Sequence, residues 1–207
     1  MSKYKTDQES FWSGEFGDDY IERNKSKELL ASNLHFFAKI FNNINNINNI
    51  FEVGCNIGMN LQAIQMLLPN SELNGVEINK SAAEFAQKIE NVNSIINDSV
   101  LNVAPQLRFD FVFTKGVLIH INPGELEDLY SKMAMLSSRY VLIAEYYNPF
   151  PVNILYRGHK DKLFKRDFAG EFLKLHPEFK LVNYSFHYKK DNNFSQDDIT
   201  WFLMERI

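Results

Sequence analysis

From residue 50 onward the apolar positions of the chain switch repeatedly between two periods. IFEV, Ile50–Val53, is a short apolar run of strand length; the stretch from Gly58 to Leu68 has a helical pattern and is stopped by Pro69 and Asn70; LNGVEI, ending at Ile78, is strand-like again. Asn79 or Ser81 can cap the next helix, whose Ala82, Phe85, Ala86 and Ile89 face inward and whose Ser81 and Glu84 have capping-box spacing. SIIND supplies a third strand and FDFVFTK, Phe109–Lys115, a fourth. Pro123 opens a helix to about Ser137, and RYVLIAEY, Arg139–Tyr146, is a fifth strand with a nearly continuous apolar core. Strands alternating with helices pair in parallel through right-handed crossovers.

The flanks differ. Between Ser26 and Phe41, residues Leu30, Leu34, Phe37 and Phe41 are spaced by four, three and four, which places them on one face of a helix. NNINNINNI, Asn42–Ile50, should fray that helix into a linker, because Asn side chains compete for backbone hydrogen bonds. At the other end a helix near Asp167–Leu175 stops at Pro177. FKLVNYSFHY and ITWFLMERI follow, separated by the polar KKDNNFSQDD, which has no apolar helical face and so joins an antiparallel pair. The expectation is a Rossmann-like α/β fold: a seven-stranded sheet of five parallel strands and an antiparallel C-terminal hairpin, with helices on both faces. Residues 1–48 form an N-terminal helical cap segment and 49–207 a single compact domain. Asn148–Lys165 shows no periodicity and reads as a long connection without secondary structure.

Composition narrows the classes. A chain of 207 residues, 45% hydrophobic, is long enough for one buried core, and a formal net charge of −4 does not indicate a surface that gathers nucleic acid. Cys55 is the single cysteine, which excludes an intrachain disulfide and a multi-cysteine metal site; His35, His120, His159, His176 and His187 contain no close pair, so no metal is expected. No apolar run approaches the length of about eighteen residues that spans a membrane, and MSKYKTDQES has no signal core, so a cytoplasmic protein is expected.

The strand pattern, together with the blocks FWSGEFGDDYIERN, FTKGVLIHINP, AEYYNP and YRGHKDKLFKRDFAGEF, resembles the class I S-adenosylmethionine-dependent methyltransferases, and among them the pseudaminic acid biosynthesis-associated methylases. The resemblance covers about Phe51 to Ile207. It implies S-adenosylmethionine as cofactor and methyl transfer to a small sugar or nucleotide-sugar acceptor in nonulosonic (pseudaminic) acid or surface-glycan biosynthesis. A methyltransferase for a protein or other non-sugar acceptor, a non-catalytic cofactor-binding module and an NAD-binding reductase stay open beside it.

The residues can be read for themselves as well. FEVGCNIGMN follows the first strand with a tight turn that brings backbone close to a ligand at a helix start. A dinucleotide loop, G-x-G-x-x-G, would find Asn56 and Met59 where its second and third glycines belong; a GxGxG-like methyltransferase loop keeps Gly54 and Gly58 and loses only the glycine at Asn56. Glu77, twenty-three positions after Gly54, can accept both ribose hydroxyl protons. Glu52 can order the loop amides or reach the cofactor's amino group. By resemblance Asp98 accepts from the adenine amino group while the Ser99 backbone faces the ring edge; an ordinary turn at Asn97–Asp98 is the alternative. Trp12, Phe16 and Tyr20, spaced by four, form an aromatic face, and by resemblance Tyr20 and Arg23 reach the cofactor carboxylate. Lys115 and Gly116 shape the pocket where the fourth strand opens. His120, with an unshifted pKa, is the candidate general base. Arg157, His159, Lys162, Lys165 and Arg166 are placed to gather an anionic substrate, and Tyr146 and Tyr147 to stack on a sugar face.

Overall fold

The structure is a computed structural model that describes residues 4–23 and 25–207, and the side chains of all of these except Glu22 and Arg23. Two short helices open it, α1 (Asp7–Ser13) and α2 (Glu15–Arg23), followed by α3 (Lys27–Phe41), which Ser26 caps by accepting from the Leu29 amide. Then come β1 (Asn49–Val53), α4 (Met59–Leu67), β2 (Glu72–Val76), α5 (Lys80–Ala86), β3 (Val92–Ile96), β4 (Phe109–Lys115), α6 (Leu126–Leu136) and β5 (Ser137–Glu145). The last part holds β6 (Val152–Tyr156), β7 (His159–Lys165), α7 (Phe168–Leu175), β8 (Phe179–His187) and β9 (Ile199–Arg206).

Among the described residues the main sheet has seven strands in the order β3-β2-β1-β4-β5-β9-β8. β1, β2, β3, β4 and β5 run parallel, and β9 pairs antiparallel with both β5 and β8, with Leu142 opposite Leu203 and Tyr184 opposite Phe202. Alternation along the central strands feeds two cores. On one face Phe36, Phe37 and Ile40 of α3 and Leu61 and Ile64 of α4 pack on Phe111, Phe113, Trp201 and Leu203; on the other, Leu129, Tyr130 and Met133 of α6 and Phe168 and Phe172 of α7 pack on Val112, Val141 and Met204. The asparagine-rich linker, 42–48, is irregular, yet its Ile44 and Ile47 rest against the α3 face of the core. Among the described residues no helix is long and apolar enough to cross a membrane.

Three expectations need correction. Asn148–Lys165 is not structureless: β6 and β7 form a separate antiparallel hairpin closed at Arg157 (φ 48) and Gly158 (φ 86), the two consecutive left-handed residues of a tight hairpin turn. The turn pair is Arg-Gly, so the familiar Asn-Gly signal is missing. Phe85 does not face inward; it is 45% exposed, with the ammonium groups of Lys25 and Lys88 over its ring. Of the two cap candidates for α5 it is Asn79 that caps, its side chain accepting from the Ala82 amide, and only the capping box expected at Ser81 and Glu84 is not formed. The aromatic stripe at Trp12, Phe16 and Tyr20 spans two helices that bend at Gly14. They approach so closely that a Cβ on Gly17 would lie 2.0 Å from the Trp12 carbonyl oxygen.

Candidate functional site

A cavity of about 840 Å³ opens over the carboxyl ends of β1, β2 and β4, roofed by α1, α2 and the β6–β7 hairpin. Its floor is the turn after β1. Gly54 (φ 74), Asn56 (φ 47) and Gly58 (φ 80) are left-handed, and the Gly54 and Cys55 amides both donate to the Val76 carbonyl at 3.0 Å, tying the turn to β2. A Cβ on Gly54 would come within 2.7 Å of the Val117 side chain, so the turn and the segment after β4 touch there. Asn56 manages the glycine-like conformation with its own side chain: its Oδ1 accepts from the Ile57 amide at 2.6 Å.

Glu77 closes the turn from the other side. Its carboxylate accepts from the Asn56 amide at 2.7 Å and from the Asn79 amide at 2.8 Å, and it lines the cavity. Burial pushes its pKa up while these amides pull it down. Beyond it, Ile78, Val100 and Leu101 make an apolar wall.

Glu52 is fully buried and is not among the residues lining the cavity. One oxygen accepts from the Asn60 side-chain amide at 2.6 Å, and the other has no partner among the described residues. Burial raises its pKa to about 8, so at neutral pH the group is largely protonated and can donate. Lys115 lines the cavity; burial lowers its pKa to about 8 against the pull of Glu52, Asp197 and Glu145. Its ammonium donates to Asn33 Oδ1 at 3.3 Å, which also accepts from Gln196 Nε2 at 2.9 Å.

His120 lies at the roof, 8% exposed, its ring centroid 4.5 Å from that of Trp12 and 5.0 Å from that of Tyr156. Its Nδ1 is 2.6 Å from the Lys162 carbonyl oxygen, which can only accept; the proton therefore sits on Nδ1 and the lone pair on Nε2. The expected unshifted pKa is corrected: burial lowers it to about 4, so His120 is neutral at physiological pH and a weak base.

The other sequence candidates divide. Tyr20, Ser99, Tyr146 and Arg157 line the cavity. Asp98 does not line it: its Oδ1 accepts from the Ser99 amide at 2.6 Å and from Asn102 Nδ2 at 2.9 Å, the turn role named as the alternative. The side chain of Arg23 lies outside the described residues. Tyr146 donates to Asp197 at 2.6 Å, with the Lys165 ammonium over its ring, whereas Tyr147 is turned out and packs on Phe202. The two tyrosines therefore do not share a face, as neighbouring residues at a strand end alternate sides. His159 packs on Phe11 and Phe16 and does not line the cavity, Lys162 covers Phe11, and Arg166 pairs with Glu171 at 2.8 Å. Of those five basic positions only Arg157 lines the cavity, because the hairpin sends the others to cap and core. Trp12, Asn122 and Tyr156 from the quoted blocks and Asn33, Lys190 and Gln196 from outside them line it as well; they are assembled from segments far apart in sequence. Among the described residues no group of three or more His, Cys, Asp or Glu could hold a metal ion.

No protein-family model matches this sequence, and no curated protein matches it. Solved structures do. The magnesium protoporphyrin IX methyltransferase of Synechocystis PCC 6803, solved with bound S-adenosylmethionine, superposes with a TM-score of 0.68 at 12% identity over 100% of both chains. The chain has the class I methyltransferase fold. A methyltransferase from Leishmania major shares that fold at a TM-score of 0.73 and 11% identity, covering 97% of this chain and 87% of its own. So does the 1,6-didemethyltoxoflavin-N1-methyltransferase of Burkholderia thailandensis, with S-adenosylhomocysteine and 1,6-didemethyltoxoflavin bound, at 0.67 and 14%, covering 96% and 86%. In the methyltransferase fold of this chain the β6–β7 hairpin is an addition to the seven-stranded sheet, set between β5 and α7.

Proposed function

We propose that the chain is an S-adenosylmethionine-dependent methyltransferase for a small anionic acceptor, a nonulosonic (pseudaminic) acid or a related sugar or nucleotide sugar. The observation that carries the cofactor part is the left-handed turn Gly54–Gly58 locked to Glu77 at the floor of the cavity. In open α/β sheets, ligands bind outside the carboxyl ends of the strands. The residues lining the cavity fit the cofactor: Glu77 for ribose hydroxyls, the apolar wall at Ile78, Val100 and Leu101 with Ser99 beside it for adenine, and Tyr20 and Lys115 for the carboxylate end, while Asp98 holds the turn that presents Ser99. Glu52, largely protonated, reinforces the turn through Asn60 and Asn56 stays on the loop.

When bound, the cofactor supplies a methyl group already activated on a sulfonium. The protein's work is then to hold an acceptor atom in line and to exclude water. Arg157 and Lys190 line the cavity as cations and favour an anionic group on the acceptor beside them. Tyr146 offers a ring to a sugar face. The neutral His120 accepts a hydrogen bond from an acceptor hydroxyl or amine at Nε2 and orients it; with a pKa of about 4 it contributes orientation more than proton abstraction. The rings of Trp12, Tyr156 and His120 favour a second reading, a planar non-sugar acceptor.

Calorimetric titration with S-adenosylhomocysteine and with NAD separates the cofactor classes. Binding of the former alone is expected; binding of NAD alone overturns the proposal. A radiolabelled-methyl assay against acidic sugars, their nucleotide forms and aromatic heterocycles then reads the acceptor.

A further inference from the structure

The turn that carries His120 is held from beneath by the glutamate of AEYYNP, a residue to which the sequence assigned no role of its own. Glu145, the last residue of β5, is 2% exposed. Its Oε1 accepts from the amides of Val117 and Leu118 at 3.0 Å each and from the Thr114 hydroxyl at 3.2 Å, and its Oε2 accepts from the Ile119 amide at 3.4 Å. Gly116, left-handed at φ 70, leads β4 into this turn while its own amide donates to the Ala144 carbonyl at 2.9 Å. Three successive amides thereby converge on one carboxylate. The His120 amide closes the turn on the Val117 carbonyl at 2.8 Å.

We propose that Glu145 is a positioning residue of the acceptor side: it fixes residues 117–120 and through them sets where His120 Nε2 stands in the cavity. That the acceptor lies there rests on the functional reading above; the coupling of Glu145 to the turn does not. A buried carboxylate with this many donors keeps them only while it is ionised, since protonation takes up a lone pair and adds a competing donor. Burial pushes Glu145 to about 7 despite the amides. The titratable groups around it are Lys115 of β4, which favours its ionised form, Tyr130 of α6, whose phenol burial keeps protonated, and His120 on the turn, neutral above about pH 4. The turn should therefore loosen as pH falls through neutrality, with Glu145 as the group that titrates.

The test is nitrogen-15 NMR of the whole chain from pH 5.5 to 8.5. The Val117, Leu118 and Ile119 amides are expected to titrate together with a midpoint near 7, while the His120 ring stays in the neutral, Nδ1-protonated form. In Glu145→Gln the common titration should vanish, protection of these amides from exchange should fall about tenfold, and the His120 ring signals should shift. Absence of a shared titration in the wild type, or native protection and unchanged His120 signals in Glu145→Gln, would overturn the proposal. Where circular dichroism shows Glu145→Gln unfolded, Glu145→Asp decides: a retained but displaced titration supports the role, and an unaltered one refutes it. S-adenosylhomocysteine titration of the wild type tests the functional reading separately.

Discussion

Asn56 shows how much a single position can be read in advance. Its left-handed backbone is what a glycine would adopt there, and Asn tolerates that region better than most residues. Asn56→Gly is expected to keep S-adenosylhomocysteine affinity within about twofold, whereas Asn56→Val should cost about 1–2 kcal/mol in urea unfolding and weaken binding, since a β-branched residue is strained at positive φ. Glu52 gives a pH dependence. Folded, it holds its proton to about pH 8, while an exposed glutamate releases it near 4.5, so the folded state binds more protons in that window and stability falls as pH rises through it. Glu52→Gln should remove this slope: its melting temperature relative to wild type is expected to climb from pH 5 to pH 7.5, below the range where Lys115 titrates. Glycine spacing and strand-end acids made Gly54, Gly58 and Glu77 legible. The basicity of His120 was not, because it depends on the burial that Trp12, Tyr156 and the Lys162 carbonyl impose from elsewhere in the chain.

Elements were legible where their pattern is local. The core strands, α3 and the C-terminal hairpin follow from apolar period, caps and the polar link before β9. The roof was harder: α1 and α2 share an aromatic stripe but are separate helices, and the Arg157–Gly158 turn does not carry the usual hairpin dipeptide. The two roof pieces hold each other through Phe11 and Phe16 on His159 and the Gln8 side chain on the Asp161 carbonyl. Gly17→Ala should drive α1 off this seat, because the added Cβ meets the Trp12 carbonyl at 2.0 Å. A local cost of about 1–3 kcal/mol is expected, seen as a red shift of Trp12 fluorescence with Trp201 unchanged in the core. An unaltered spectrum would mean that the roof accommodates the methyl group.

At the scale of the whole molecule, ligand binding couples to folding: saturating S-adenosylhomocysteine at about a hundred times its Kd should stabilise the chain by about 2.7 kcal/mol, read as a rise in melting temperature, and NAD at the same concentration should not. The sequence by itself determined the alternation of strands and helices, the antiparallel end of the sheet and the glycine-asparagine turn, because apolar periodicity, caps and backbone conformational preference act over a few residues. Only the tertiary structure decided which basic side chains reach the cavity, that Glu52 and His120 are pushed toward neutral forms, and that Glu145 gathers three amides of a turn some twenty-six to twenty-eight residues earlier. Those are properties of burial and of opposed dipoles, and both depend on segments that meet only when β4 and β5 lie side by side beneath the roof.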